Sequence, residues 1–340
     1  MNFSPLTNKT NDRVDIIRDN SIDFLRGIGI LLIILAHCSP PIFLFNLRVF
    51  DVPLMLFVSG LAFSNRKYHS IPKFLYHRAK RLLIPLYIFL TIYFILIYII
   101  QNYLGFKFGI TFNRAVESYM LHDGIGFVWI FRVFLLITLI TPLLLKIEQI
   151  LSNKYHYICL IILLLTFNEL LIKSPISNNI IIRDYITYAI GYSIPFLLGL
   201  RLKNNTSSFT LYVFLFLSLI ITYSVLSFHT GKIIYIAQYK YPPQLLYILY
   251  GCFMSAIIYI FVRKLNSKFN IIIFCGNNTN WIYLYHIPLI QVTSKFDMYF
   301  LVQYILVVIF SIAAVYIQTR IINLLKSKYP ANTFFNYFKG

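Results

Sequence analysis

The sequence predicts an all-α membrane protein that crosses a bilayer about ten times, and three observations predict it. Charged residues make up 12% of the 340, against about 25% in an average soluble domain. Apolar types, tyrosine and cysteine included, make up 59%. They come in runs of about 16–20 residues, long enough for a helix to cross a hydrocarbon core of about 30 Å. Basic residues gather between alternate runs, the pattern that orients membrane helices.

The polar segment 1–21 has no apolar core and no small-residue cleavage site, so it reads as a cytoplasmic tail rather than a signal peptide. The first span, 22–38, then serves as the insertion signal. The second, 49–64, leads into a basic connection holding Arg66, Lys67, Lys73, Arg78, Lys80 and Arg81, after which comes the third, 82–100. The fourth, 127–145, carries Trp129 and Arg132 inside an apolar run, and the fifth follows at 155–171. Pro195 reads as a kink in the sixth, 185–200; the seventh is 209–228. Tyr241 to Pro243 reads as the entry to the eighth, 245–262. The ninth, 271–292, is interrupted by GNNTN (276–280) and is expected to be broken or partly re-entrant. The tenth, 299–322, precedes a basic tail, 323–340.

Ten spans, rather than nine, put that tail on the same side as the amino terminus. With both termini cytoplasmic, the inner segments, with Arg320 at the inner end of the tenth span counted among them, hold 20 of the 30 Lys and Arg and the outer ones 8, while Arg26 and Arg132 lie deeper within spans. The domain plan is therefore two cytoplasmic tails around one membrane domain, 22–322. The longest connections, about 101–126 and 229–244, are too short to fold alone. A formal charge of +19 would suggest nucleic acid in a soluble protein. Here it reads as topology, with attraction to anionic lipid headgroups and to an anionic cytosolic cofactor. Cys38, Cys159, Cys252 and Cys275 are scattered, so neither a disulfide framework nor a metal site is expected.

Arg26 and His37 are the most informative residues. An ionisable side chain at the centre of a membrane helix costs roughly 2.5–3.5 kcal/mol on insertion scales, so it normally faces protein or water with a task there. Their spacing of eleven residues is three turns with about 20° left over, so both point the same way about 16 Å apart. Cys38 is turned about 100° from His37 and reads as a small buried hydrophobe rather than a nucleophile.

The same segment, IDFLRGIGILLIILAH (22–37), resembles the first-helix signature of the acyltransferase-3 family of integral-membrane acyltransferases, with Asp23, Arg26 and His37 at the signature positions. Further stretches resemble the family in order: FDVPLMLFVSGLAFS (50–64), RAKRLLIPLY (78–87), GFVWIFRVFLLITLITPLL (126–144), IPFLLGLRL (194–202), YPPQLLYILYG (241–251) and NWIYLYHIPL (280–289). The resemblance implies a membrane O-acyltransferase of the bacterial cytoplasmic membrane. It would move an acetyl or other short acyl group from acetyl-CoA, or another acyl-CoA, to a sugar hydroxyl of a surface polysaccharide or its lipid-linked precursor.

Within that reading His37 is the catalytic residue, either a general base toward the acceptor hydroxyl or a transient carrier of the acyl group. Arg26 would hold an anionic phosphate through its planar fork, with Asp23 orienting it. Arg78 and Arg81 share a helical face at the inner surface, placed to bind coenzyme A phosphates. Supporting roles fall to His286, to Trp129 and to Arg132, which needs a partner such as Asp51, Glu117 or Asp184. His69, His77, His122, His156 and His229 read as solvated. The competing functions are a polysaccharide polymerase, a flippase or an exporter. A polymerase usually carries a large outer loop and a flippase polar residues across many spans, and the sequence shows neither.

Overall fold

A computed structural model describes residues 19–64, 70–103, 105, 109–204, 209–265 and 269–338. Among them the regular structure is helical throughout. The helices are α1 (Asn20–His37), α2 (Ile42–Leu47), α3 (Asp51–Phe63), α4 (Ile71–Tyr103), α5 (Phe112–Tyr119), α6 (Trp129–Ile150), α7 (Lys154–Lys173), α8 (Thr187–Asn204), α9 (Phe209–Thr230), α10 (Leu245–Lys264), α11 (Asn270–Asn277), α12 (Thr279–Thr293) and α13 (Phe300–Lys328). The protein is an all-α polytopic membrane protein.

Eight stretches are long and apolar enough to cross a membrane: α1, α2 with α3, α4, α6, α7, α9, α10 and α13. The other two expected spans are α8 and the α11–α12 pair. Helix α8 carries Arg201 and Lys203 in its last turn, which lowers its mean hydropathy. It nevertheless lies inside the bundle, buried from Gly191 to Leu202 and packed on α3, α6, α7 and α10. Such a helix needs no lipid-facing surface. By contrast α9 buries only Leu211 and Leu215, so its remaining apolar face is turned outward.

Two crossings hold the centre together, and glycine makes both possible. A Cβ on Gly60 would sit 2.1 Å from the Phe196 carbonyl oxygen, and one on Gly199 would sit 2.0 Å from that of Phe57. Helices α3 and α8 therefore touch backbone to backbone. Helices α1 and α11 do the same: Gly27 faces the Ile272 carbonyl and Gly276 the Asp23 carbonyl. Lipid supplies no hydrophobic drive between helices, so close backbone packing at small residues is how such pairs gain dispersion energy.

Helix α1 starts where its sequence says it should. Asp19 caps it by accepting from the Ser21 N–H at 3.0 Å, and Asp23 lies in the first turn, favourable toward the helix dipole. Burial works against the Asp19 charge, but Lys203 at 2.5 Å and the Ser21 N–H hold its carboxyl below the usual Asp range. The helix stops at His37, because Ser39 turns left-handed (φ 49°) and Pro40 and Pro41 offer no N–H.

Four features differ from the sequence expectation. Helix α2 precedes the second span, placing Arg48 and Asp51 at the entrance to α3. Helix α4 begins at Ile71, so Arg78 and Arg81 sit inside one continuous 33-residue helix. An eight-residue helix, α5, forms in the connection before α6. Helix α13 runs to Lys328, and a 3-10 turn over Thr333–Phe338 folds back on the bundle. There the Trp281 indole N–H donates to the Tyr337 carbonyl at 3.1 Å, and Gln318 donates to that of Phe338 at 2.8 Å.

The ninth element is broken, as its sequence suggests. Asn278 ends α11, donating its backbone N–H to the Phe274 and Cys275 carbonyls, and α12 starts at the next residue. The break costs few backbone hydrogen bonds, because the Asn278 amide side chain also donates to the Phe274 carbonyl at 2.9 Å.

Candidate functional site

His37 lies at the carboxyl-terminal mouth of α1, where three distant parts of the chain meet. Its ring centroid is 4.7 Å from Phe127, at the approach to α6, and 5.4 Å from His286 on α12. His286 is fully buried. Its Nδ1 meets the Tyr283 carbonyl oxygen, which fixes Nδ1 as the protonated nitrogen and leaves Nε2 as an acceptor. Among the described residues that Nε2 has no hydrogen-bond partner. The Tyr283 hydroxyl donates to the Phe127 carbonyl at 2.6 Å, tying α12 to the approach of α6. The site thus pairs a half-buried imidazole with a second one whose acceptor nitrogen is unused.

Arg26 is two-thirds of α1 away. Its Nη1 donates to Asp23 at 3.0 Å, the i, i+3 pairing expected of one helical face. Ile30 and Ile33, on the same face between Arg26 and His37, are buried. Arg78 lies over the Phe63 ring at 4.2 Å, at the far end of α3 from Asp51, and Arg81 is exposed one turn on. Arg66, Lys67 and His69 of the same connection lie outside the described residues. The predicted residues therefore fall in two groups, one around His37 and one toward the Asp19 end of α1.

A cluster that sequence reading did not assemble lies at the His37 end. Arg48 Nη1 donates to Asp51 Oδ2 at 2.5 Å, Lys240 Nζ donates to Asp51 Oδ1 at 3.3 Å, and the Val52 N–H donates to the same Oδ1 at 2.8 Å. The Lys240 ammonium stands 5.7 Å from the Trp129 ring and 5.4 Å from that of Tyr241. Burial pushes Lys240 below the usual ammonium range, Asp51 opposing and Arg48 adding to the effect. Trp129 in turn meets Tyr188 edge-on at 6.3 Å and Tyr241 at 5.2 Å. Trp129 is thus brought to this end of the molecule, beside the Lys240 ammonium.

Arg132 has a different partner from those expected. Its Nη1 meets His122 Nδ1 at 3.1 Å, and the guanidinium lies 5.1 Å from the Tyr185 ring and 5.6 Å from that of Tyr188. His122 is therefore half-buried and hydrogen-bonded rather than solvated. Asp51, one of the carboxylates considered for Arg132, is occupied by Arg48 and Lys240. The missed residues had weak signals: Arg48 and Asp51 are an i, i+3 opposite-charge pair bordering an apolar run, and Lys240 is a lone lysine between aromatic residues.

Cys38 is buried, with its thiol directed to the Ile34 carbonyl at 3.3 Å. Among the described residues no three His, Cys, Asp or Glu side chains are grouped to hold a metal ion. The chemistry on offer is proton transfer or nucleophilic attack by an imidazole, beside buried cations and flat aromatic walls. A family model described as an acyltransferase domain, of the acyltransferase-3 type, matches residues 19–320. No curated protein and no solved structure matches the chain.

Proposed function

The chain belongs to the acyltransferase-3 family and is a membrane acyltransferase, and from that premise we propose that it carries an acetyl or other short acyl group from acyl-CoA to a sugar hydroxyl of a bacterial surface glycan or its lipid-linked precursor. The observation that carries this reading is the His37 environment. An imidazole at a helix mouth, 5.4 Å from a second imidazole with an unused acceptor nitrogen, suits proton removal from an alcohol.

In the transfer, His37 takes the proton of the acceptor hydroxyl, the hydroxyl oxygen bonds to the thioester carbon, and the carbon–sulfur bond breaks. The departing thiolate takes up the proton as free CoA. Alternatively His37 receives the acyl group first and then yields it to the hydroxyl. Arg26, paired with Asp23, steadies a donor phosphate by charge-assisted hydrogen bonds. Arg78 and Arg81, one turn apart on α4, extend the phosphate site toward the cytoplasm. The pantetheine arm then spans the distance between the Arg26 group and His37. His286 is oriented by the Tyr283 carbonyl, with Nε2 free to accept a proton from its neighbour.

His37→Ala tests the reading. Acyl transfer to the glycan should fall by about 10²–10⁴-fold, the usual contribution of a general base, while acyl-CoA binding and folded yield persist. The check is O-acyl content of the host surface glycan at equal protein level, alongside acyl-CoA affinity of the purified protein. Near-normal glycan acylation would reduce His37 to a packing residue.

A further inference from the structure

Arg48, Asp51 and Lys240 have no part in the transfer just described, yet they are only 2%, 1% and 6% exposed. Asp51 balances one of the two cations. Both of its oxygens are occupied, one by Arg48 and the other by Lys240 and the Val52 N–H. The cluster therefore holds one surplus positive charge, which is unfavourable in a buried position without a partner. It also holds unused donors. Among the described residues Arg48 Nε is buried with no hydrogen-bond partner, and the Lys240 ammonium hydrogen-bonds only to Asp51. A guanidinium edge and an ammonium flanking one carboxylate form a donor set suited to an anion with several oxygens.

The surroundings add two constraints. Trp129 and Tyr241 stand against Lys240 with flat apolar faces, against which the C–H face of a sugar ring can lie. The cluster is also near the reacting site: Trp129 is two residues from Phe127, whose ring touches that of His37. The donor's own phosphates do not fit here. The pantetheine arm holds them well away from the thioester, so a thioester at His37 leaves them toward Arg26.

We infer that Arg48 and Lys240 form an anion subsite for the acceptor, holding a carboxylate or phosphate of an acidic saccharide while one of its hydroxyls meets His37. This rests on the acyl-transfer reading and narrows its substrate class.

The chain has only two tryptophans, and Trp281 packs on the carboxyl-terminal turn. Trp281→Phe therefore leaves Trp129 as sole reporter beside the cluster. The full chain in nanodiscs is titrated with glucuronate, glucose 6-phosphate, inorganic phosphate and glucose at constant ionic strength, following tryptophan emission. Saturable changes with the anionic sugars and none with glucose are expected, and whichever of glucuronate and the sugar phosphate binds tighter identifies the anion. In Lys240→Gln, which leaves a neutral Arg48–Asp51 pair and so a foldable protein, Kd should rise about tenfold or more. Lys240→Arg should restore binding. No saturable change with either acidic sugar, an equal response to glucose, inorganic phosphate matching both sugars, or undiminished binding in Lys240→Gln would each overturn the subsite. Release of CoA from acetyl-CoA is followed in parallel: binding without turnover counts against the transfer reading alone, and turnover without a preference for the acidic sugars against the subsite alone.

Discussion

Arg26 is held by Asp23 through one guanidinium nitrogen, and its proposed role depends on the planar shape of the group more than on its charge. Arg26→Lys keeps the charge and loses the fork. KM for acyl-CoA should then rise about tenfold or more, the loss of a charge-assisted hydrogen bond at about 1.5–3 kcal/mol, measured on purified protein in nanodiscs. An unchanged KM would leave Arg26 a structural residue of α1. This residue was legible in the sequence because its relation to His37 is a matter of helical period, and α1 is an unbroken helix over both. The neighbours of His37 were not legible. Phe127 and His286 come from other helices, and no local pattern encodes which side chains long-range packing will bring together. Lys240 was hidden for the same reason: its carboxylate partner, Asp51, lies 189 residues away in the chain.

Elements were easier to read than their limits. Apolar runs mark the lipid-crossing part of a helix, but α4 continues through the basic stretch from Ile71, because nothing between Ile71 and Arg81 breaks a helix once Pro72 is placed in its first turn. Helix α8 could be read as a span although two cations lower its hydropathy, since it is buried by protein rather than by lipid. What no run of residues reveals is the touch between helices. Gly276→Ala would place a Cβ 1.7 Å from the Asp23 carbonyl oxygen, which cannot move without α1. It should lower stability by about 1–3 kcal/mol, the usual cost of overpacking, read as a thermal melt in detergent. Gly29→Ala is the control: its Cβ would meet the Met55 sulfur, the far end of a flexible side chain, so its melt should shift less. Equal shifts would mean that the α1–α11 crossing is not a tight one.

At the scale of the molecule, the two ends of the bundle differ in chemistry. One end has Asp19 with Lys203, and Glu148 with Arg201; the other has His37, Arg48, Lys240 and the aromatic wall. The distribution of basic residues leads to the expectation that the first end faces the cytoplasm. Single cysteines at Asn20 and Ser327 in a cysteine-free background should resist membrane-impermeant thiol reagents in intact cells, and one at Asn113, exposed on α5, should react. Labelling at Ser327 from outside would mean that α11 and α12 together fail to cross. The crossing at Gly27 and Gly276 also sets an order of events. A ribosome releases α1 first and α11 only near the end of synthesis, so the glycine face of α1 spends most of translation without its mate. His286 emerges later still. A nascent chain therefore cannot assemble its paired imidazoles until nearly all of it is inserted, and a stalled or truncated product would sit in the membrane with the site unformed.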